Sequence, residues 1–112
     1  MYKIIVCDLD ETLISRDRTI SSENIEAIRK ATEAGVKFVP CTGRGYNSVH
    51  NTTSQLGLFD QKDQYVISYN GGAITENKDE KQLYFQGITF EEAEAIYKRG
   101  LTYDHICIHI YT

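Results

Sequence analysis

Apolar side chains in this chain come in short, unbroken runs separated by amphipathic stretches. Lys3 to Cys7 and Val36 to Cys41 are rich in β-branched residues and do not alternate with polar ones. Each reads as a strand covered on both faces, the pattern of a parallel sheet between helices. Between them, Ile25, Ile28, Ala31 and Ala34 recur at helical spacing, with Ser21 or Ser22 as N-cap, Glu23 in the first turn and Gly35 just past the end. Strand, helix, strand at this length predicts a right-handed crossover that brings both strand tips to one edge. Leu13 to Ile20 is short and mixed, and reads as a flap or hairpin over those tips or as an ordinary surface loop.

Further along, Tyr46 to Leu56 predicts a weaker helix, rich in Asn, Ser and Thr and ended by Gly57. After a polar connection from Leu58 to Gln64, a third strand is expected over Tyr65 to Tyr69, then a turn at Asn70-Gly71-Gly72 and a short antiparallel strand at Ala73 to Glu76. Asn77 to Lys81 is charged and reads as a linker. Beyond it, Gln82 to Thr89 alternates like a strand, and Thr89 and Glu92 form a capping box for a helix carrying Ala93, Ile96 and Tyr97, with Gly100 at its end. His105 to Thr112 alternates again and predicts a last strand. The division expected is 1–78 as one unit and 79–112 as the start of another.

The chemistry sits at the ends of the first two strands. Asp8 and Asp10 stand one residue apart where the first apolar run stops, so their mutual repulsion calls for a proton or a cation such as Mg²⁺. An ionised Asp8 suits a nucleophile and a protonated Asp10 a general acid; the plainer reading is that both cap a turn. At the second tip, Thr42, Gly43 and Arg44 offer a hydroxyl, a backbone amide and a guanidinium, all phosphate-binding groups. Asn70 near the third tip is a turn residue first. Gly43-Arg44-Gly45 lacks the third glycine of a dinucleotide fingerprint, and no Gly-Lys-Ser/Thr of a nucleotide P-loop is present.

Taken together, Asp8-Leu9-Asp10-Glu11-Thr12-Leu13 resembles the D-x-D-G-T-L motif of haloacid dehalogenase superfamily phosphatases, and Thr42-Gly43-Arg44 resembles their second motif after a hydrophobic strand. Thr19-Ile20-Ser21 and Ser68-Tyr69-Asn70-Gly71-Gly72-Ala73 are similar to later landmarks of the Cof-like branch, which carries an α/β cap. The resemblance implies an α/β, Rossmann-like three-layer parallel sheet, incomplete here, followed by the start of an α+β cap. It implies a Mg²⁺-dependent phosphatase of small phosphorylated metabolites working through an aspartyl-phosphate. Asp8 and Asp10 would be catalytic and hold the metal, Thr42 and Gly43 would bind phosphate, and Arg44 and Asn70 would lie at the substrate edge. Glu11 stands where the family usually has Gly. The family's later Lys and acidic-pair motifs have no counterpart in this sequence, so the alternative is an inactive fragment or interaction module with half a site. A phosphoacceptor receiver domain is set aside because Ser68, Tyr69 and Asn70 stand where it needs an Asp.

A length of 112 residues with 41% hydrophobic residues bounds one small domain or part of a larger one, and a net charge of −4 without a basic run argues against a nucleic-acid partner. No apolar stretch has the length of a membrane span or signal core, so a cytoplasmic protein with no membrane partner is expected. Cys7, Cys41 and Cys107 read as reduced thiols. His105, Cys107 and His109 would share one strand face, but neighbours two apart lie roughly 6 to 7 Å from each other and no fourth ligand is in sight, so a half-exposed strand face is the expectation. The resemblance implies that strands from later sequence flank the first strand, so it is expected to keep an unpaired apolar edge here, which points to homo-oligomers or to a chain cut down from a longer polypeptide.

Overall fold

The structure, a computed structural model, describes residues 2–111. The first apolar run forms β1 (Ile4–Asp8) and the second β2 (Lys37–Cys41), paired in parallel with Asp8 opposite Cys41. Helix α1 (Ser22–Glu33) makes the crossover between them. It begins where the Ser21 hydroxyl accepts the Asn24 N–H at 3.2 Å. It gives way at Gly35, whose φ of 86° is the left-handed geometry that glycine adopts without steric cost.

The weak helix predicted after β2 divides into a 3-10 turn at Tyr46–Val49 and α2 (His50–Gln55). Strand β3 (Tyr65–Ser68) then joins β2 in parallel through Cys41 and Ile67, while β4 (Ala73–Glu76) and β5 (Lys81–Phe85) return antiparallel. The sheet runs β1-β2-β3-β4-β5 in chain order, so it is mixed, with its parallel part confined to the first three strands. The fold class is α/β and Rossmann-type. Leu9, Leu13, Ile14, Ile28, Phe38, Val49 and Val66 meet in the core, joining the flap after β1 to α1, β2 and β3. Helix α3 (Phe90–Gly100) opens with the expected capping box: Thr89 N–H donates to Glu92 Oε2 at 2.8 Å and Glu92 N–H to the Thr89 hydroxyl at 3.2 Å.

Three expectations are corrected. β1 is not covered on both faces: Ile4, Ile5 and Val6 are 53%, 41% and 56% exposed. β1 is the sheet's terminal strand, hydrogen-bonded only to β2, so its apolar composition outruns the cover that the described residues supply. Second, residues 105–111 form no strand. Alternation gives two faces, but a strand also needs a neighbour's amides and carbonyls, and none lies alongside; Thr112 lies outside the described residues. Instead Cys107 Sγ and His109 Nε2 come to 3.1 Å of each other. Third, Asn77 is no linker residue. It is 1% exposed, and its side-chain amide donates to the Leu58 carbonyl at 2.8 Å.

Candidate active site

The main chain after β1 turns sharply around Leu9, a fully buried residue whose carbonyl accepts the Thr12 N–H at 3.2 Å and the Ile14 N–H at 2.8 Å. Sinking Leu9 into the core leaves Asp8 and Asp10, on either side of it, at the surface. Ser15 N–H donates to the Thr19 carbonyl at 2.9 Å and Arg18 N–H to the Ser15 carbonyl at 2.8 Å, so the following segment closes as a tight flap. Glu11 occupies the left-handed region with φ 57°. That position favours glycine, and an L side chain there costs about 1 kcal/mol. The Glu11 carboxylate reaches Arg16 at 3.6 Å, but with both groups largely exposed that contact adds little.

At the second tip, Thr42 N–H donates to the Ile67 carbonyl at 2.9 Å and Asn70 N–H returns to the Thr42 carbonyl at 3.0 Å. Tyr69 N–H donates to the Arg44 carbonyl at 3.0 Å, and Arg44 N–H to the Thr42 hydroxyl oxygen at 3.1 Å. These bonds lace the loop after β2 to the turn after β3. The approach is close: a Cβ on Gly43 would come within 3.0 Å of Asn70 Oδ1, and one on Gly45 within 2.7 Å of the Tyr69 hydroxyl. A side chain at either position would require Asn70 or Tyr69 to shift.

Four of the six residues singled out in the sequence, Asp8, Thr42, Gly43 and Asn70, line one cleft of about 430 Å³ with Val6 and Cys41. Asp10 and Arg44 do not line it. They pair beside it, the Arg44 Nε donating to Asp10 Oδ2 at 2.9 Å and its NH2 group to Oδ1. Thr12, which carried no role in the sequence reading beyond its place in the motif, donates its hydroxyl to Asp8 Oδ2 at 2.6 Å. Its position four residues after Asp8 was the available signal. Cys7, behind the site, has its thiol pushed above the ordinary range by burial, with the Asp8 charge adding to the effect, so it remains an unreactive thiol.

The donor set suits a hard dication. Asp8 Oδ1 has no hydrogen-bond partner among the described residues, and carboxylate and carbonyl oxygens are what Mg²⁺ prefers. Among the described residues no group of three or more His, Cys, Asp or Glu side chains converges as a metal cage. The same residues therefore leave most of such an ion's coordination sphere to water or ligand. No helix of the described residues is long and apolar enough to cross a membrane.

The chain resembles known proteins in sequence and fold. The sequence model of the haloacid dehalogenase-like hydrolases matches residues 5–112. YxeH of Bacillus subtilis (strain 168) is 31% identical over 101 residues, which are 90% of this chain and 37% of YxeH. The 5-amino-6-(5-phospho-D-ribitylamino)uracil phosphatase YwtE of the same strain is 42% identical over 72 residues, 64% of this chain and 23% of YwtE. Among solved structures, a haloacid dehalogenase-like hydrolase from B. subtilis superposes with a TM-score of 0.77 at 30% identity, over 89% of this chain and 33% of that one. The chain thus spans well under half the length of these relatives. With the family's sequence pattern running through nearly all of it and the first two motifs meeting at neighbouring strand tips, the chain belongs to the haloacid dehalogenase-like hydrolases.

Proposed function

We propose that this chain carries the nucleophile half of a phosphatase for small phosphorylated metabolites. The observation that carries the proposal is the single cleft shared by Asp8, Thr42, Gly43 and Asn70. In this reading the Thr12 hydroxyl orients Asp8 through Oδ2 and leaves Oδ1 to attack phosphorus in line. The new Asp8 O–P bond forms as the ester P–O bond breaks; Asp10, which must first swing away from the Arg44 guanidinium and enter protonated, gives its proton to the departing alkoxide. Asp10 then takes a proton from water, whose oxygen displaces Asp8 and releases phosphate. The Thr42 oxygen already accepts from the Arg44 N–H, so its own O–H is available to a phosphoryl oxygen, beside the Gly43 amide. Mg²⁺, held by the Asp8 carboxylate and the Asp10 main-chain carbonyl, would supply charge stabilisation. Residues 79–112 are read as the opening of a cap over this cleft, and residues 1–78 as core.

The test is phosphoryl capture from acetyl phosphate with Mg²⁺ present, read by peptide mass spectrometry. One phosphoryl group is expected on Asp8 and none on the Asp8→Asn chain. Labelling that survives Asp8→Asn, or no labelling at all, refutes the nucleophile assignment.

A second reading has support of its own. With no converged metal cage among the described residues and only 37% of YxeH spanned, these residues form half a site. Turnover of p-nitrophenyl phosphate by the 112-residue chain should then stay near background. Robust Mg²⁺-dependent turnover that Asp8→Asn abolishes overturns the half-site reading and keeps the phosphatase.

A further inference from the structure

A second cavity, of about 490 Å³, opens between the flap after β1 and the polar side of α2. That volume is within the range of small-molecule sites. Its chemistry is unlike the catalytic cleft's. Ile14 and Ile20 give it an apolar wall, Asn51 and Gln55 give it side-chain amides, and Arg18 and Arg44 give it two guanidinium groups. No carboxylate lines it. Arg18 makes no ion pair among the described residues. Arg44 is met by the Asp10 carboxylate, so Arg18 is the lining cation with no ion pair among the described residues, and it leaves a positive potential that an anion relieves.

Arg44 links the two spaces. It follows Gly43 directly in the chain, its Nε and NH2 groups hold Asp10, and the same side chain lines the second cavity. A guanidinium has five N–H donors, so Arg44 retains others for a ligand while keeping Asp10.

We propose that this cavity binds a second anionic group on the substrate's leaving portion, a carboxylate or another phosphate, and so selects doubly charged phosphorylated metabolites. Arg18 and Arg44 bind that charge, and the amides of Asn51 and Gln55 bind hydroxyls or anion oxygens near it. The inference rests on the phosphatase reading of the Asp8 cleft and adds the substrate class to it.

The test is a site-resolved NMR titration of the chain in Mg²⁺ buffer. Gly43 and Asn70 report the catalytic cleft, and the side-chain amides of Asn51 and Gln55 report the second cavity. The probes are inorganic phosphate, the pairs glycerol 3-phosphate and 3-phosphoglycerate, and fructose 6-phosphate and fructose 1,6-bisphosphate. Each pair differs by one anionic group, a carboxylate in the first and a phosphate in the second. The singly phosphorylated neutral probes should move Gly43 and Asn70 alone. The doubly anionic ones should also move Asn51 and Gln55 and bind about tenfold more tightly, equivalent to about one charge-assisted hydrogen bond. Preference for only one pair identifies the second group as carboxylate or phosphate. Arg18→Gln should bring the ratio within each pair to about one. Equal affinities within both pairs, silent Asn51 and Gln55, or a ratio untouched by Arg18→Gln each overturn the proposal. If Gly43 responds to phosphate in those cases, the phosphatase reading stands without it; a Gly43 silent to every probe removes both.

Discussion

Replacing Asn77 by Ala removes the polar pin between the end of β4 and the loop before β3, and the structure fixes its cost. The side-chain amide gives the Leu58 carbonyl a buried hydrogen bond at 2.8 Å, and Oδ1 accepts from the Tyr46 hydroxyl at 3.4 Å. Leu58 keeps a second donor, the Gln61 N–H at 3.3 Å, so its carbonyl is not orphaned and the loss there is about 1 kcal/mol. Tyr46 is buried and is left without that partner, which adds about 1 kcal/mol, and the vacated carboxamide volume adds up to about 1 more. The sum is about 2 to 3 kcal/mol. For a domain of this size that lowers the melting temperature by roughly 10 to 20 °C. Thermal unfolding followed by circular dichroism is the assay, with exposed Lys62→Ala as a control expected within about 0.5 kcal/mol. Asn77→Asp keeps the shape and the acceptor toward Tyr46 but turns an acceptor on the Leu58 carbonyl, so it should be at least as damaging. A melting temperature for Asn77→Ala within about 2 °C of the parent chain would falsify the assignment of Asn77 as a structural pin.

Gly43→Ala places a methyl 3.0 Å from Asn70 Oδ1 and crowds that side chain, so on the phosphatase reading phosphate binding should weaken about tenfold while the chain stays folded; unaltered phosphate titration refutes the cradle. The Asp60 carboxyl is held below its usual range, first by the Asp79 N–H and then by Lys78. A lowered folded value means stability that is present above the ordinary carboxylate range and lost as pH falls through the lowered one. Asp60→Asn should therefore flatten the acid limb of unfolding against pH, and superimposable acid limbs would count against this contact.

Motifs whose meaning is local were legible in the sequence. Asp8 and Asp10 end an apolar run, Ser21 caps α1, Thr89 and Glu92 make a capping box, and Thr42-Gly43-Arg44 follows a strand; each is set by a few neighbouring residues. What could not be read depends on distant partners. Asn77, among Glu76, Lys78, Asp79 and Glu80, looks like surface, and only Leu58 and Tyr46 folding onto it make it core. Residues 105–111 alternate as a strand would, yet alternation cannot supply the missing ladder. The pairing of Arg44 with Asp10 likewise joins residues from two separate strand tips, so neither motif alone announces it.

The bare flank of β1 ties assembly to chemistry. Ile4, Ile5 and Val6 stand uncovered along the same short strand that carries Asp8 at its end, so the strand acts as a rod gripped on one side only. Anything that zipped onto the other side would take hold of the strand that carries Asp8, the nucleophile proposed above. If a partner there steadied the rod and so raised the affinity of an anion held at its tip, thermodynamic reciprocity would make that anion tighten the partner's grip by the same factor.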